Sequence, residues 1–242
     1  MTTVNYWAIV PAAGSGQRFG GEVAKQFQPL GDHLIAQHSL SRLLNIPCIA
    51  RIIVPSDMAS PYWLQIPAAS DPRVELVAGG SERVHSVLQG LLAIGDRAES
   101  SDWVLVHDMA RPCITSGDIN KLISELAGHA VGGILATSVT DTLKTIGADN
   151  HIQATPDRNL YRAAQTPQMF RLGMLAQALA NPHDDITDEA SALEAQGLRP
   201  RLVVGAADNF KITWPADFAL AEAVLADLTG PPELLVEGAG AH

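Results

Sequence analysis

Cysteine is scarce in this chain of 242 residues, and so are aromatic side chains and clusters of basic residues. The two cysteines, Cys48 and Cys113, are too few to form a disulfide framework or a zinc site. We expect both to be packing residues in a reducing compartment. No apolar run approaches the ~20 residues that a membrane-spanning helix needs, and the N-terminus lacks the basic segment of a signal peptide. The sequence therefore predicts a cytoplasmic protein with no membrane segment.

The charge balance is acidic, with 26 Asp and Glu against 16 Lys and Arg and a net charge of -10. A protein that binds nucleic acid normally carries Lys and Arg clustered on one face, and this sequence has no such cluster. Nucleic acid is therefore not an expected partner. An anionic small molecule is not excluded, because a binding site needs local cations rather than a basic protein as a whole.

Strand-like and helix-like segments alternate along the chain, which predicts a Rossmann-like α/β fold with a mostly parallel central sheet flanked by helices. The predicted strands are residues 7–10, 51–54, 74–77, 103–106, 133–136, 201–204 and 210–213. The predicted helices are residues 34–44, a helix capped by Ser81, a helix that begins at Thr115, residues 172–179, residues 188–196 capped by Thr187, and a last helix from Thr213 and Pro215 to about Leu228.

This alternation breaks at residues 137–159. Two short runs flank the turn sequence Gly147-Ala148-Asp149-Asn150, which predicts a β-hairpin that projects from the sheet. An isolated hairpin is only marginally stable in water, so a second copy of the chain is the simplest surface for it to pack on. We predict one domain over residues 1–229, with the hairpin as a dimerisation arm, and a flexible tail at residues 230–242.

The first strand leads into a loop of small residues, 11–18, followed by Lys25. Small residues let backbone N–H groups approach an anion closely. The loop is not a dinucleotide fingerprint, because Phe19 stands where the third glycine belongs, and it is not a Walker loop, because Glu22 follows Gly21. Spacing alone leaves two interpretations open: an anion-binding loop, or a tight surface turn with two solvated cations.

Seven short motifs, in a fixed order from about Val4 to about Ala226, carry a family resemblance. They are Pro11-Ala12-Ala13-Gly14-x-Gly16-x-Arg18 with Lys25-Gln26, Gly80-x-Glu82-Arg83-x-x-Ser86, His107-Asp108-x-Ala110-Arg111-Pro112, Asp157-Arg158-Asn159, Thr166-Pro167-Gln168, Thr187-Asp188-Glu189-Ala190 and Asn209-x-Lys211-x-Thr213. The first resembles the signature loop of sugar-phosphate nucleotidyltransferases. Together they resemble the 2-C-methyl-D-erythritol 4-phosphate cytidylyltransferase family of the non-mevalonate isoprenoid route.

The resemblance implies an enzyme that joins CTP to 2-C-methyl-D-erythritol 4-phosphate and releases pyrophosphate. It also implies a homodimer whose arms exchange across the two-fold axis, and Mg²⁺ or another divalent cation as cofactor. The cation is expected on the triphosphate rather than on protein ligands. Asp108 is the one carboxylate that could bind it directly.

The resemblance also implies roles for individual residues. The catalytic residues would be Arg18 and Lys25 at the α-phosphate, with Arg158 and Lys211. The CTP-binding residues would be Pro11, Ala12, Ala13, Gly14, Ser15, Gly16, Arg18, Lys25, Gly80, Ser81, Ser86, Asp108 and Ala110. The residues that bind the acceptor would be Asp108, Arg111, Thr142, Arg158, Thr166 and Lys211, with Thr142 and Arg158 reaching into the partner's site. Arg83 is expected to support its loop, and the histidines are assigned no role.

Two other functions compete with this one. Ribitol 5-phosphate cytidylyltransferases share much of the motif set, and their acceptor differs only in a methyl group and in chain length. A non-catalytic nucleotide-binding protein of the same fold is the second alternative. The full set of cations at Arg18, Lys25, Arg158 and Lys211 argues against it, because binding alone does not need them all.

Overall fold

The computed structural model describes residues 4–14, 23–180 and 186–229. Its strands are β1 (Tyr6–Ile9), β2 (Pro29–Leu30), β3 (His33–Leu34), β4 (Ile49–Ser56), β5 (Val74–Ala78), β6 (Trp103–Val106), β7 (Gly132–Ser138), β8 (Thr145–Ile146), β9 (Ile152–Ala154), β10 (Arg162–Arg171) and β11 (Arg201–Val204). Its α-helices are α1 (Ile35–Leu44), α2 (Arg83–Ile94), α3 (Ser116–Leu126), α4 (Leu172–Leu179), α5 (Glu189–Glu194) and α6 (Asp217–Thr229). None of the helices in these described ranges is long and apolar enough to cross a membrane.

Seven strands form the central sheet, in the order β11-β7-β10-β6-β1-β4-β5. All neighbouring pairs are parallel except the two that involve β10, which runs antiparallel to both β6 and β7. The predicted α/β fold with a mostly parallel sheet is confirmed. The chain passes from β1 to β4 on one side and later returns to β6 on the other side of β1. Ligands of such sheets bind beyond the carboxyl ends of the strands at this change of direction.

Helices cover both faces of the sheet because its strands carry apolar side chains on both faces. On one face, Ala8 and Leu105 pack with apolar residues of α1 and α3. On the other face, Ile9 and Val106 pack with apolar residues of α2, α4 and α5. A smaller cluster joins α6 to Ile212, close to the edge where β6 ends. The sheet is therefore held from both sides, and the loops at its carboxyl edge stand on a rigid base.

Strand β10 is missing from the predictions. Its sequence, Arg162-Ala-Ala-Gln-Thr-Pro-Gln-Met-Phe-Arg171, contains few β-branched residues and an internal proline, which normally demotes a run to an edge position. The register of β10 against β7 shifts between Ala164 and Gln168, and this irregularity accommodates Pro167 within a central strand. The short pair β2–β3 was also not predicted.

The predicted strand at residues 210–213 is wrong. Ile212 donates one backbone hydrogen bond to the carbonyl of Ala110, at 2.9 Å, and its own carbonyl accepts from the Lys25 side chain. With no neighbouring strand in the described ranges, this segment is an extended connection along the site rather than part of the sheet.

Three predicted helix starts are also corrected. Glu82 rather than Ser81 precedes α2, because the Ser81 hydroxyl contacts His85 Nδ1. Asp188 rather than Thr187 caps α5, through the backbone N–H of Ser191. Helix α6 begins at Asp217, whose carboxylate accepts from the backbone N–H groups of Thr213 and Trp214. The Thr115 cap is confirmed: its hydroxyl accepts from Asp118 N at 3.0 Å.

The predicted hairpin is confirmed in a shorter form. Strands β8 and β9 pair antiparallel around a turn in which Asn150 adopts φ 61°, and the N–H of Gly147 donates to the carbonyl of His151. Ile146 and Ile152 are 59% and 65% exposed. Cys113 is buried as predicted, whereas Cys48 is exposed, so the packing prediction is wrong for Cys48. Residues 230–242 lie outside the described residues.

Candidate active site

Three loops meet at the carboxyl edge of the sheet, after β1, β5 and β6. The loop after β1 follows β4 closely, since Ala12 N donates to Pro55 O at 2.8 Å. Gly79, after β5, lies against Ala13 so tightly that a Cβ on Gly79 would stand 2.3 Å from the Ala13 Cβ. Gln26 donates to the carbonyl of Ala12 at 2.6 Å and fixes the same loop from the other side. The backbone of residues 11–14 is thus held in place; Ser15, Gly16 and Arg18 lie outside the described residues.

The turn from β5 into α2 is built around Gly80. A Cβ on Gly80 would meet the Cβ of His85 at 2.3 Å, so only glycine fits at this contact. The N–H of Gly80 donates to the Ser86 hydroxyl at 3.1 Å, and that hydroxyl is buried. Ser81 is exposed beside it. The backbone of this turn is therefore fixed at the carboxyl edge of the sheet.

Asp108, directly after β6, is the centre of an ionic cluster. Its Oδ1 accepts from Arg83 Nε at 2.8 Å, and its Oδ2 lies 2.9 Å from Lys211 Nζ and 3.7 Å from Arg111 Nε. Asp108 is buried, whereas the Lys211 side chain is 41% exposed. Burial raises the pKa of the Asp108 carboxyl, but the neighbouring charges of Arg83, Lys211 and Arg111 outweigh burial and hold that pKa well below its usual range.

Arg83 connects this cluster to a second carboxylate, Glu189. Arg83 donates from Nη1 and Nη2 to the two oxygens of Glu189, at 2.6 and 3.0 Å, while its Nε serves Asp108. Burial opposes the charge of Arg83, yet Glu189 and Asp108 together raise the pKa of the guanidinium above its ordinary value. The sequence analysis missed Glu189. The motif Thr187-Asp188-Glu189-Ala190 was the available signal, but nothing in its spacing connects it to Arg83, 106 residues away.

Arg111 is held mainly by backbone carbonyls. Its Nη1 donates to Asn209 O at 2.7 Å and its Nη2 to Ala164 O at 3.3 Å. Its buried Nε has no hydrogen-bond partner in the part of the chain that the structure describes. Arg111 therefore ties the segment before Lys211 to β10, while its Nε faces Asp108 Oδ2 at 3.7 Å, beyond hydrogen-bond distance.

Thr166 and His107 form a buried hydrogen-bonded chain behind Asp108. Burial lowers the pKa of His107 to about 4, so the ring is neutral near pH 7. Since His107 Nε2 contacts the carbonyl of Arg111, that nitrogen must carry the hydrogen, and Nδ1 accepts from the Thr166 hydroxyl at 3.1 Å. The same hydroxyl accepts from Asp108 N at 2.9 Å. Thr166 therefore has a free lone pair but no hydrogen to offer, so a contact with a substrate hydroxyl suits it better than one with a phosphate.

Lys25 lies on the other side of the segment that carries Lys211. Its Nζ donates to the carbonyl of Ile212 at 2.7 Å, and the N–H of Ile212 in turn donates to Ala110. One short backbone connection thus brings together Lys25, Lys211 and the loop after β6, which are far apart in sequence. Of the predicted residues, the structure brings Arg111, Lys211 and Thr166 to Asp108, and it places Lys25 against the neighbouring carbonyl of Ile212.

Thr142 and Arg158 lie elsewhere. Both are exposed at the base of the hairpin, where Arg158 donates to the carbonyl of Thr140. Neither is among the partners of Asp108 in the described part of the chain. Within one subunit, the structure does not bring these two predicted residues to the ionic cluster.

The surroundings of Asp108 do not suit a metal ligand. Both of its oxygens already face cations, and a divalent ion would have to displace Lys211 or Arg83 while standing beside them. No group of three His, Cys, Asp or Glu side chains within the described ranges is arranged to hold a metal ion.

Known proteins resemble this chain over nearly its full length. A protein of Azoarcus sp. (strain BH72) named 2-C-methyl-D-erythritol 4-phosphate cytidylyltransferase is 49% identical over 93% of this chain and 96% of its own. A crystal structure of 4-diphosphocytidyl-2C-methyl-D-erythritol synthase is 34% identical, with a TM-score of 0.80 over 93% of this chain and all of that one. A crystal structure of Francisella tularensis 2-C-methyl-D-erythritol 4-phosphate cytidylyltransferase is 32% identical, with a TM-score of 0.78. The match covers 91% of this chain and 99% of that one.

The fold, with its cation-rich cluster at the carboxyl edge, and these relatives together define a nucleotidyltransferase. The family model for 2-C-methyl-D-erythritol 4-phosphate cytidylyltransferase matches residues 6–227. The chain belongs to that family.

Proposed function

We infer that this protein is a cytidylyltransferase that converts CTP and 2-C-methyl-D-erythritol 4-phosphate into 4-(cytidine 5'-diphospho)-2-C-methyl-D-erythritol and pyrophosphate, in non-mevalonate isoprenoid biosynthesis. The observation that carries this conclusion is the assembly of Asp108, Lys211 and Lys25 at the switch point of the sheet, in a chain that matches the family over residues 6–227. Ribitol 5-phosphate cytidylyltransferase, the alternative from sequence, is not favoured by these relatives.

The reaction brings two anions together. An oxygen of the acceptor phosphate attacks the α-phosphorus of CTP, the new P–O bond forms, and the bond to the β-phosphate oxygen breaks as pyrophosphate leaves. The protein has little covalent chemistry to perform, so positioning and stabilisation of developing charge dominate. Cations fixed before the substrates arrive suit this task.

The two substrates would approach the cluster from different sides. We assign the α-phosphate to Lys25 and to Arg18, the latter being outside the described residues. We assign the acceptor phosphate to Lys211, whose side chain is 41% exposed while Asp108 holds its Nζ at 2.9 Å. Arg111 supports the acceptor side indirectly, because its buried Nε lies 3.7 Å from the Asp108 oxygen that contacts Lys211.

The base pocket would be the turn at Gly80 and Ser86. Backbone groups fixed by the close approach of Gly80 to His85 can contact the polar edge of cytosine. A site whose buried polar groups pair with one base rejects a base that leaves them unpaired, often by orders of magnitude.

The arm supports a homodimer in this proposal. Its strands expose Ile146 and Ile152, and Leu160 near its base is 81% exposed. A two-fold dimer would cover such residues, and it would let Thr142 and Arg158 reach the acceptor site of the other subunit. This assembly accounts for two site residues that lie apart from the cluster within their own chain.

Mg²⁺, or another divalent cation, would enter the site bound to the triphosphate of CTP. The family resemblance implies the cation, and the cations Arg83 and Lys211 on the two oxygens of Asp108 argue against direct ligation by that residue. The location in the cytoplasm stays a prediction of the sequence.

The function is tested by pyrophosphate release with purified protein. Each of CTP, UTP, ATP and GTP is supplied with 2-C-methyl-D-erythritol 4-phosphate, and CTP is then tested with ribitol 5-phosphate. We expect turnover with CTP and methylerythritol phosphate, and at least a tenfold lower kcat/KM for every other pair, as is typical when buried polar groups are left unpaired. Equal turnover with UTP or a purine would overturn the base assignment, and preference for ribitol 5-phosphate would overturn the acceptor.

A further inference from the structure

Glu189 is a buried charge that the proposed reaction does not use. It is 2% exposed at the first residue of α5, and both of its oxygens accept from Arg83. Burying an ionised carboxylate costs several kcal/mol unless it is well paired, and a pair of apolar residues would often serve stability equally well. Its position beside the ionic cluster calls for an explanation beyond packing.

The backbone around Glu189 is anchored to the centre of the sheet. Gln168, on β10, donates to the Asp188 carboxylate at 2.8 Å and accepts from Ala190 N at 2.9 Å. One side chain thus holds the residues on both sides of Glu189. Gln168 itself pairs with Val106, the last residue of β6 before the site. The carboxylate of Glu189 is therefore fixed relative to the strand that leads to Asp108.

Arg83 transmits this position to Asp108. Its two terminal nitrogens are committed to Glu189, so the guanidinium plane is set, and its Nε then fixes Asp108 Oδ1 at 2.8 Å. The other oxygen, Oδ2, is left for Lys211 at 2.9 Å. Among the residues that the structure describes, the cluster holds three cations (Arg83, Arg111 and Lys211) and two carboxylates (Asp108 and Glu189). Without Glu189, a single carboxylate would face all three cations.

We propose that Glu189 is a positioning residue for the acceptor side of the site: by holding Arg83 with both oxygens, it keeps Asp108 oriented so that its second oxygen places Lys211. When a neutral side chain replaces Glu189, the unpaired guanidinium of Arg83 draws Asp108 away from Lys211, and the acceptor phosphate loses its ordered cation. The inference rests on the proposed function, since Lys211 is assigned to the acceptor there.

The test is Glu189→Gln, with steady-state kinetics measured separately for the acceptor and for CTP. We expect the KM for the acceptor to rise roughly 10- to 100-fold, because displacing a positioning group by about 1 Å can cost up to about 10²-fold. The KM for CTP should change much less than the KM for the acceptor, because Lys25 donates to the carbonyl of Ile212 and Gly80 donates to Ser86, and neither hydrogen bond involves Glu189. Arg83→Lys keeps the cation but cannot bond both carboxylates as a fork, and should give the same split. Arg83→Lys also tests the inference if the Glu189→Gln variant does not fold.

Asp102→Asn is the matched control. Asp102 is also a buried carboxylate, 1% exposed, but it accepts from Asn5 N and Trp7 Nε1, away from the site. This variant should lower the melting temperature and leave both KM values unchanged. If Glu189→Gln and Arg83→Lys behave like Asp102→Asn, with the acceptor KM within about twofold of wild type, the inference is overturned while the proposed function stands. If the wild type itself releases no pyrophosphate, the proposed function fails and the inference falls with it.

Discussion

The ionic cluster around Asp108 and the hairpin of residues 137–159 are built in opposite ways. In the cluster, buried carboxylates and cations satisfy one another within a single chain, over separations of up to 106 residues. In the hairpin, two strands of two and three residues pair with each other, and Ile146 and Ile152 stay largely exposed. The cluster is complete in one subunit; the hairpin leaves apolar surface uncovered.

This difference shows two ways in which a side chain can be positioned in a site. Lys211 is ordered before substrate arrives, because Asp108 and the packed sheet behind it fix its position. In the described part of the chain, the Arg158 side chain donates to the carbonyl of Thr140 at the base of the hairpin, so its place in a site depends on what the arm packs against. Changes in the cluster should therefore alter folding and catalysis in each chain by itself. Changes in the arm should matter only through a second subunit.

The largest effect is expected from Asp108→Asn, which leaves buried Arg111 and exposed Lys211 without a carboxylate. Breaking a buried ion pair from one side costs about 3–5 kcal/mol in the free energy of unfolding. Because the pKa of the folded Asp108 carboxyl is lowered, its contribution is fully present above the unfolded value and is lost as the pH falls through the folded pKa. Chemical denaturation at pH 7 measures the loss.

Asp71→Asn is the surface control for this variant. Asp71 pairs with Arg73 at 3.4 Å, and both side chains are about one third exposed. Such pairs contribute about 0–1 kcal/mol. If Asp108→Asn and Asp71→Asn lower the free energy of unfolding equally, the ionic cluster contributes no more to stability than a surface ion pair.

Lys25→Ala should follow in size, with kcat reduced by about 10²–10³-fold and a much smaller change in the KM for CTP, as when one donor to a developing charge is removed. Arg18→Ala should behave alike. Lys121→Ala is the matched control, because Lys121 also donates to a backbone carbonyl, Val204 O, at the same 2.7 Å as Lys25 to Ile212 O. A near-wild-type kcat for Lys25→Ala would leave Lys25 as a structural contact only.

A smaller effect should come from His107, the neutral ring behind Asp108. Its folded pKa of about 4 lies below the ordinary 6.5, so the unfolded chain binds an extra proton between these values. Stability should therefore rise with pH from about 4 to 6.5, by up to about 1.4 kcal/mol per pH unit from this group. His107→Gln should flatten that slope in denaturation series. An unchanged slope would mean that His107 is not held neutral.

The smallest expected signal concerns the arm. Arg158→Ala and Lys25→Ala homodimers should each be nearly inactive, whereas mixing their subunits should restore up to about a quarter of wild-type activity. Half of randomly mixed dimers are heterodimers, and each would hold one intact site if Arg158 acts across the two-fold axis. Mixing Lys25→Ala with Lys211→Ala is the control and should restore nothing, because both residues belong to the home site. No recovery with the first pair, after verified subunit exchange, would falsify the shared site.

Much of the fold follows from local patterns. Strand β6, strand β11 and helix α4 begin and end where their apolar runs predict. Strand β10 could not be predicted in this way, because its sequence contains polar side chains and Pro167 and lacks a strand pattern. It forms a strand because β6 and β7 pair with it on both sides. The segment at Ile212 shows the reverse. It is an alternating run that looks like a strand, but it pairs with no strand in the described ranges, and its Ile212 carbonyl accepts from Lys25.

The sequence by itself determined the α/β alternation, the hairpin with its turn, and the motifs that place the chain in its family, because each depends on neighbouring residues or on residue types in order. Only the tertiary structure decided which charges meet. Glu189 pairs with Arg83, and the neutral ring of His107 accepts a hydrogen bond from Thr166. Arg158 contacts Thr140 at the base of the hairpin instead of the cluster. The physical reason is that ion pairs and pKa values depend on distance and burial in space, which the spacing of residues along the chain does not fix.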